Sequence, residues 1–227
     1  MLRIEETASN FLYSINKNWL ILHIAGQNKK FLKVAIVKYN AGNTQSVIYA
    51  LNRLGIEPLV TDDEEELRGA DKVIFPGVGE ASSAIRYLKA NNLEKLIPSL
   101  RQPVLGICLG LQLMCRYSEE NDINCLGIFP IDVKRFPAGE DKVPHMGWNT
   151  VSDLKGPLFE GIRENDFVYF VHSYYAALSP YTIATTEYIL PYSSALHKDN
   201  FYAAQFHPEK SGKAGERIVR NFIDLKN

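Results

Sequence analysis

From Lys33 onward the chain alternates short apolar runs with amphipathic stretches, and that rhythm restricts the fold more than any other feature. Val34-Ala35-Ile36-Val37 is apolar throughout, as expected of a strand buried on both faces of a parallel sheet. Val47, Ala50, Leu51 and Leu54 then recur at i, i+3, i+4 and i+7, a helical stripe that Gly55 closes. Leu59-Val60 and Lys72-Val73-Ile74-Phe75 read as the next strands, the latter halted by Pro76-Gly77. Residues 80–101 carry a helical pattern with a break at Asn91-Asn92. Val104-Leu105-Gly106-Ile107 is a fourth strand, and Leu109 to Tyr117 reads as a helix. Such alternation predicts an α/β fold with a mostly parallel central sheet flanked by helices. After Cys125 the texture changes. Ile131-Asp132-Val133, Phe167 to Tyr175, Tyr181 to Tyr188 and Phe201 to Phe206 predict additional strands, some antiparallel, at one side of the sheet. A helix over 212–226, with Ile218, Phe222 and Leu225 on one face, closes the chain.

Composition narrows the function classes. Lys+Arg is 25 and Asp+Glu is 26, a net charge of -1, which lacks the basic excess of a dedicated nucleic-acid binder. The apolar cluster Trp19 to Ala25 is far shorter than the roughly 20 residues of a membrane span. Nucleic acid and membrane are therefore not expected as partners. The chain has 3 cysteines, too few for a disulfide framework, which points to a reducing cytoplasm. No C-x-x-C or H-E-x-x-H occurs and Gly77-Val78-Gly79 lacks a third glycine at the dinucleotide spacing, so neither a metal nor a cofactor is expected.

The most informative stretch is Gly106-Ile107-Cys108-Leu109-Gly110-Leu111-Gln112, the cysteine form of a nucleophile elbow between a strand and a helix. A sharp turn lifts the sulfur clear of the sheet, flanking glycines let the turn close, and the helix N-terminus favours thiolate. A nucleophilic cysteine needs a base, and the base needs an orienting group. In Phe206-His207-Pro208-Glu209, proline restricts the backbone between His207 and a carboxylate that falls on the same side of an extended chain. Glu209 then stands where the third member of a triad would. Phe75-Pro76-Gly77-Val78-Gly79-Glu80 ends a strand and opens a helix, and its glycines are candidates to present N–H groups to an oxyanion. Each motif alone has a plain structural reading. Cys108 as a small buried hydrophobe, Gly77-Val78-Gly79 as an ordinary turn and His207 with Glu209 as a surface pair are the alternatives. Cys115 and Cys125 are read as small buried hydrophobes.

Taken together, Pro76-Gly77-Val78-Gly79, Gly106 to Gln112 and Phe206 to Ser211 resemble the motifs of the triad-type class I glutamine amidotransferases. Lys142-Val143-Pro144-His145-Met146-Gly147-Trp148-Asn149 and Tyr169-Phe170-Val171-His172-Ser173-Tyr174-Tyr175 are similar to segments of one subfamily, the glutaminase subunits of imidazole glycerol phosphate synthases. The opening Tyr39-Asn40-Ala41-Gly42-Asn43 is similar to that subfamily's first loop. The resemblance spans about residues 33–227 and implies a flavodoxin-like sheet. It implies that Cys108 attacks the side-chain amide of glutamine, that His207 moves the proton and that Glu209 orients His207. It implies an oxyanion hole at Gly77, Val78, Gly79 and Leu109, and glutamine contacts from Gly77, Gly79, Gly110, Gln112, Ser173 and Tyr174. The implied partner is a (β/α)₈-barrel cyclase subunit, joined as a heterodimer. That subunit uses the ammonia to make imidazole glycerol phosphate and aminoimidazole carboxamide ribotide in histidine biosynthesis. Asn40, Asn43, Met146, Trp148 and Lys210 are implied at the interface or its coupling. From the residues alone, Trp148 fits either an interface or a buried core.

Three other readings compete. An amidotransferase serving pyridoxal phosphate or anthranilate synthesis is not expected to carry both subfamily segments. A cysteine peptidase or chaperone of similar architecture is not expected to place its acid two residues after the histidine. A silent interaction subunit is expected to lose one of Cys108, His207 or Glu209, and all three are present. Residues 1–32 match none of the motifs. They are expected to be either a disordered or helical appendage or not native, with translation in that case from Leu32; the working domain starts at about Lys33, 227 − 32 = 195 residues.

Overall fold

A computed structural model describes residues 32–39, 44–139 and 141–226. The expectations for the extension and for Asn40 and Asn43 lie outside the described residues. The first half alternates as its pattern predicts: β1 (Val34–Val37), α1 (Thr44–Arg53), β2 (Leu59–Thr61), α2 (Glu64–Arg68), β3 (Lys72–Gly77), α3 (Ala81–Ala90), α4 (Leu93–Ser99) and β4 (Val104–Cys108). Then follow α5 (Leu109–Met114), β5 (Cys115–Ser118), β6 (Ile123–Asn124), β7 (Phe129–Arg135), β8 (His145–Thr150), β9 (Phe167–His172) and β10 (Tyr174–Ala176). The chain ends with β11 (Thr182–Tyr188), β12 (Leu190–Lys198), β13 (Phe201–Ala204) and α6 (Gly212–Asp224).

Local signals account for most boundaries. Gly55 follows α1 at φ +78, a conformation that costs glycine little. Asp63 caps α2 by accepting from Glu66 N at 2.9 Å, ahead of an acidic first turn that suits the helix dipole. The expected break falls between α3 and α4, where Asn92 takes φ 57.

The centre of the sheet is parallel, in the order β2-β1-β3-β4-β13. Beyond β13 it continues through β12, β10 and β7, each antiparallel to its inner neighbour, to β5 and β6. Alternate side chains feed two cores. Ala35, Val37, Val73 and Phe75 meet α2 to α5, while Val34, Ile36, Ile74 and Ile107 meet α1 and the Ile218–Phe222 face of α6. Both strand faces are covered, which is why these strands are apolar without alternation. β8 and β9 form a separate antiparallel ribbon whose Val168 and Phe170 join the second core beside Phe206.

Two expectations need correction. The helix expected to reach Tyr117 stops at Met114, and Cys115–Ser118 pairs with β7 as β5. The Arg116–Asp132 ion pair at 2.9 Å is exposed, and such pairs contribute about 1 kcal/mol at most. The decisive gain is the buried ladder that sets Cys115 opposite Phe129, which overrides local helical preference. The sequence texture also groups β13 with the lateral antiparallel strands. It lies instead inside the parallel core against β4, with only its other edge antiparallel.

Candidate active site

Three neighbouring parallel strands, β3, β4 and β13, end at one edge of the sheet. Their register sets Gly77 opposite Cys108 and Ala204 opposite Ile107. The glycine loop, the cysteine and His207 are thereby delivered to one place, at the strand ends where open α/β sheets bind ligands.

The elbow is tight. Cys108 takes φ 53 and ψ -104, a conformation that costs a non-glycine residue of order 1–3 kcal/mol. Close packing holds it there. A Cβ on Gly110 would lie 1.8 Å from the Phe75 carbonyl oxygen, and one on Gly106 would lie 2.8 Å from Met114 Sδ. Leu109 opens α5, whose first N–H groups have no acceptor within the helix.

Cys108 Sγ sits 3.7 Å from the Val171 carbonyl, and the amide of Gln205 donates to it at 3.7 Å. His207 Nδ1 donates to Glu209 Oε1 at 2.8 Å, and both side chains are buried. Glu209 Oε2 has no hydrogen-bond partner among the described residues, so this carboxylate is committed to His207. The backbone of His207 is tied as firmly. Its N–H donates to the Tyr169 carbonyl at 2.9 Å, and its carbonyl accepts from Ser211 Oγ at 2.6 Å. Ser211 Oγ also accepts from Tyr169 N at 2.9 Å. Burial opposes charge on His207, but its interactions with Cys108 and Glu209 outweigh burial and push its pKa up to about 10.

A cavity of about 310 Å³ opens over these groups, at the small end of ligand pockets. Val78, Gly79, Cys108, Leu109, Gln112, His172, Ser173, Tyr174 and His207 line it. Lys210 stands exposed at its edge. Gly77 and Gly110 lie buried outside the lining, Gly110 against Phe75. Gln112 Nε2 donates to the Tyr174 carbonyl at 3.0 Å and to Gln205 Oε1 at 3.2 Å, so both its amide hydrogens brace the wall. Met146 and Trp148 sit on β8 away from this lining, 64% and 55% exposed, which favours the surface over the core reading of Trp148. The Trp148 ring stands edge-on to Tyr169 at 5.8 Å.

Sequence reasoning passes over several groups that the fold brings here. Gln205 is fully buried, two residues before His207, and a polar residue inside an apolar run is the available signal. The Val171 and Tyr169 carbonyls carry no side-chain signal at all. Cys115 is fully buried, as expected of a small hydrophobe, whereas Cys125 is only half-buried. Burial drives the Cys115 thiol well up, and burial with Glu120, against Lys89, pushes Cys125 up to about 12. Among the described residues no group of three metal-ligating side chains occurs, and no helix is long and apolar enough to cross a membrane.

The family described as Glutamine amidotransferase class-I matches residues 35–225. Curated relatives agree. The Imidazole glycerol phosphate synthase subunit HisH of Bacteroides fragilis (strain YCH46) is 63% identical over 196 residues, 86% of this chain and 100% of the relative. The protein of the same name from Colwellia psychrerythraea is 46% identical over 85% of this chain and 93% of its own length. Among solved structures, a putative GMP synthase subunit of Thermoplasma acidophilum superposes with a TM-score of 0.65 at 24% identity. It covers 85% of this chain and 92% of that one. A Thermotoga maritima glutamine amidotransferase gives 0.55 at 18% identity, covering 86% and 83%. These two likenesses bear on the fold alone. The chain belongs to the class-I glutamine amidotransferase family and, within it, to the HisH subunits of imidazole glycerol phosphate synthase.

Proposed function

We propose that the chain hydrolyses glutamine through Cys108, His207 and Glu209 and passes the ammonia to a cyclase subunit. The observation that carries this reading is the convergence of Cys108 and the His207–Glu209 pair on one small cavity. In the first half-reaction Cys108 Sγ bonds to the amide carbon of glutamine. The oxyanion is met by N–H groups at Leu109 and the Gly77-Val78-Gly79 loop. The C–N bond breaks as His207 gives its proton to the departing ammonia, leaving a thioester. Acylation ties up the sulfur whose interaction helps hold the proton on His207. Burial then counts for more, and the neutral ring takes a proton from the water that attacks the thioester. Glutamate leaves and Cys108 is restored. Gly79, Gln112, Ser173 and Tyr174 hold the substrate, while Gly77 and Gly110 act from beneath by allowing the close packing.

The working unit of this reading is residues 33–227, supported by the family match over 35–225. The partner is a (β/α)₈-barrel cyclase subunit in a heterodimer, as the relatives' name for a synthase subunit supports. It converts the ammonia and a phosphoribosyl-formimino ribotide to imidazole glycerol phosphate and aminoimidazole carboxamide ribotide, in cytoplasmic histidine biosynthesis. Exposed Met146 and Trp148, with Lys210 at the cavity edge, face it, together with Asn40 and Asn43. The test is glutamine hydrolysis by the two subunits mixed, with and without the cyclase ligand. Ligand-stimulated hydrolysis is expected, and its absence overturns the assignment. Cys108→Ala is expected to abolish synthesis from glutamine and to leave synthesis from added ammonia intact. Loss of both makes Cys108 structural.

A further inference from the structure

From His172, which lines the cavity, a continuous chain of polar contacts runs inward among buried rings. His172 Nδ1 meets the Tyr174 carbonyl at 2.8 Å, and His172 Nε2 meets the Tyr192 hydroxyl at 3.2 Å. The same hydroxyl meets His145 Nδ1 at 3.3 Å, and His145 Nε2 meets the Asn149 amide at 3.5 Å. These residues come from four strands, β8, β9, β10 and β12, so the chain bolts the ribbon to the main sheet. Tyr192 is fully buried, and both histidines are nearly so.

The proton positions follow from what each atom can do. A carbonyl only accepts, so His172 Nδ1 carries hydrogen. In a neutral ring Nε2 then accepts, and Tyr192 O–H donates to it. The Tyr192 oxygen accepts in turn, so His145 Nδ1 carries hydrogen and its Nε2 accepts from Asn149. Asn149 Nδ2 also donates to the Glu187 carbonyl at 3.0 Å, while its Oδ1 accepts from Thr150 N at 2.7 Å, which fixes the amide's orientation. Every donor therefore points along one direction, from β8 toward Tyr174. Burial disfavours charge on both rings, drawing His145 down to about 4 and His172 to about 3, in keeping with neutral imidazoles.

The chain ends on the carbonyl that Gln112 also grips. From there Gln112 reaches Gln205, and Gln205 reaches Cys108 Sγ. We propose that the Tyr192 hydroxyl, clamped between His145 and His172, is a positioning group that fixes the Ser173–Tyr174 wall of the glutamine pocket relative to Cys108. This rests on the glutaminase reading above. Of the three residues only His172 reaches the cavity lining; Tyr192 and His145 lie outside it. Their work is to hold one tautomer of His172 and so keep the Tyr174 carbonyl turned toward Gln112. The wall binds substrate in the ground state and the transition state alike, so loosening it raises KM and spares kcat.

The experiment uses the full chain assembled with its cyclase subunit. No hydrolysis by the unmodified complex counts against the glutaminase reading itself. With an active complex, Tyr192→Phe keeps the ring and its packing on Phe136 and Phe170 while removing the hydroxyl. KM for glutamine is expected to rise about tenfold, which is roughly 1.4 kcal/mol and the size of one neutral hydrogen bond. kcat is expected to change less than about threefold. An unchanged KM, or a fall confined to kcat, overturns the proposal. Imidazole ¹⁵N spectra of the unmodified protein need no substitution. They are expected to show His145 and His172 as neutral Nδ1–H tautomers at neutral pH. An Nε2–H tautomer or a cation at His172 overturns the proposal equally.

Discussion

The edge of the sheet that carries Cys108 and the ribbon beside it treat histidine in opposite ways. His207, His145 and His172 are comparably closed to water, at 3%, 4% and 5% exposure. Yet His207 is pushed up to about 10, while His145 and His172 are drawn down to about 4 and 3. Burial is common to all three, so it does not decide. Partners decide. His207 meets the carboxylate of Glu209 and the sulfur of Cys108, which favour a cation. The ribbon histidines meet a hydroxyl, an amide and a carbonyl, which satisfy a neutral ring and leave burial in control. One region holds a proton and the other excludes it.

Removing the difference tests it most severely. Glu209→Gln leaves His207 with a neutral neighbour, which moves it toward the ribbon's condition. Glutamine hydrolysis by the assembled complex is expected to fall about 10⁴-fold, in the range seen when an orienting acid is lost from a triad. A rate kept within about tenfold of the unmodified enzyme breaks the comparison.

A second test reads stability against pH. The favourable pairing of His207 is fully present below the unfolded value near 6.5 and is lost as pH rises toward about 10. The ribbon histidines run the other way. Their contribution is present above about 6.5 and is lost as pH falls toward about 4 and 3, because the unfolded chain binds protons that the folded one refuses. Urea unfolding across pH should give Glu209→Gln a flatter alkaline limb only, and His172→Asn a flatter acid limb only. Both limbs changing in one variant would mean the two regions titrate as a unit.

The smallest expected effect asks whether the ribbon that braces the wall also faces outward. Trp148→Ala is expected to weaken cyclase binding about tenfold, as for a modest interface anchor, and to leave the thermal midpoint in place. Unchanged affinity in titration calorimetry removes Trp148 from the interface.

Much of the reacting edge is legible in the residues, because it is written locally. Gly106 and Gly110 flank Cys108, and Glu209 follows His207 by two positions, so a short window contains both the strain and the pair. The α/β rhythm is legible for the same reason. The misreadings share one cause, partners distant in the chain. Cys115 looks helical until Phe129 pairs with it, and β13 looks lateral because nothing near Phe201 announces its place beside Val104. The ribbon network is invisible altogether. Tyr192 lies 20 residues from His172 and 47 from His145, and the residue pattern marks neither Tyr192 nor His145 as part of a strand, where the fold puts both.

The ladder that joins β8 to β9 has a practical use as an optical reporter. The register sets Trp148 opposite Tyr169, whose carbonyl receives the His207 N–H, and Met146 opposite Val171, whose carbonyl meets Cys108 Sγ. The chain has two tryptophans, Trp19 and Trp148. With Trp19→Phe in place, the emission of the chain comes from one indole, half exposed and a single rung from the backbone that holds His207. Covering that indole shifts its colour toward the blue. If the cyclase subunit covers this face, as proposed, its arrival is readable in real time, in the same cuvette that follows glutamine turnover.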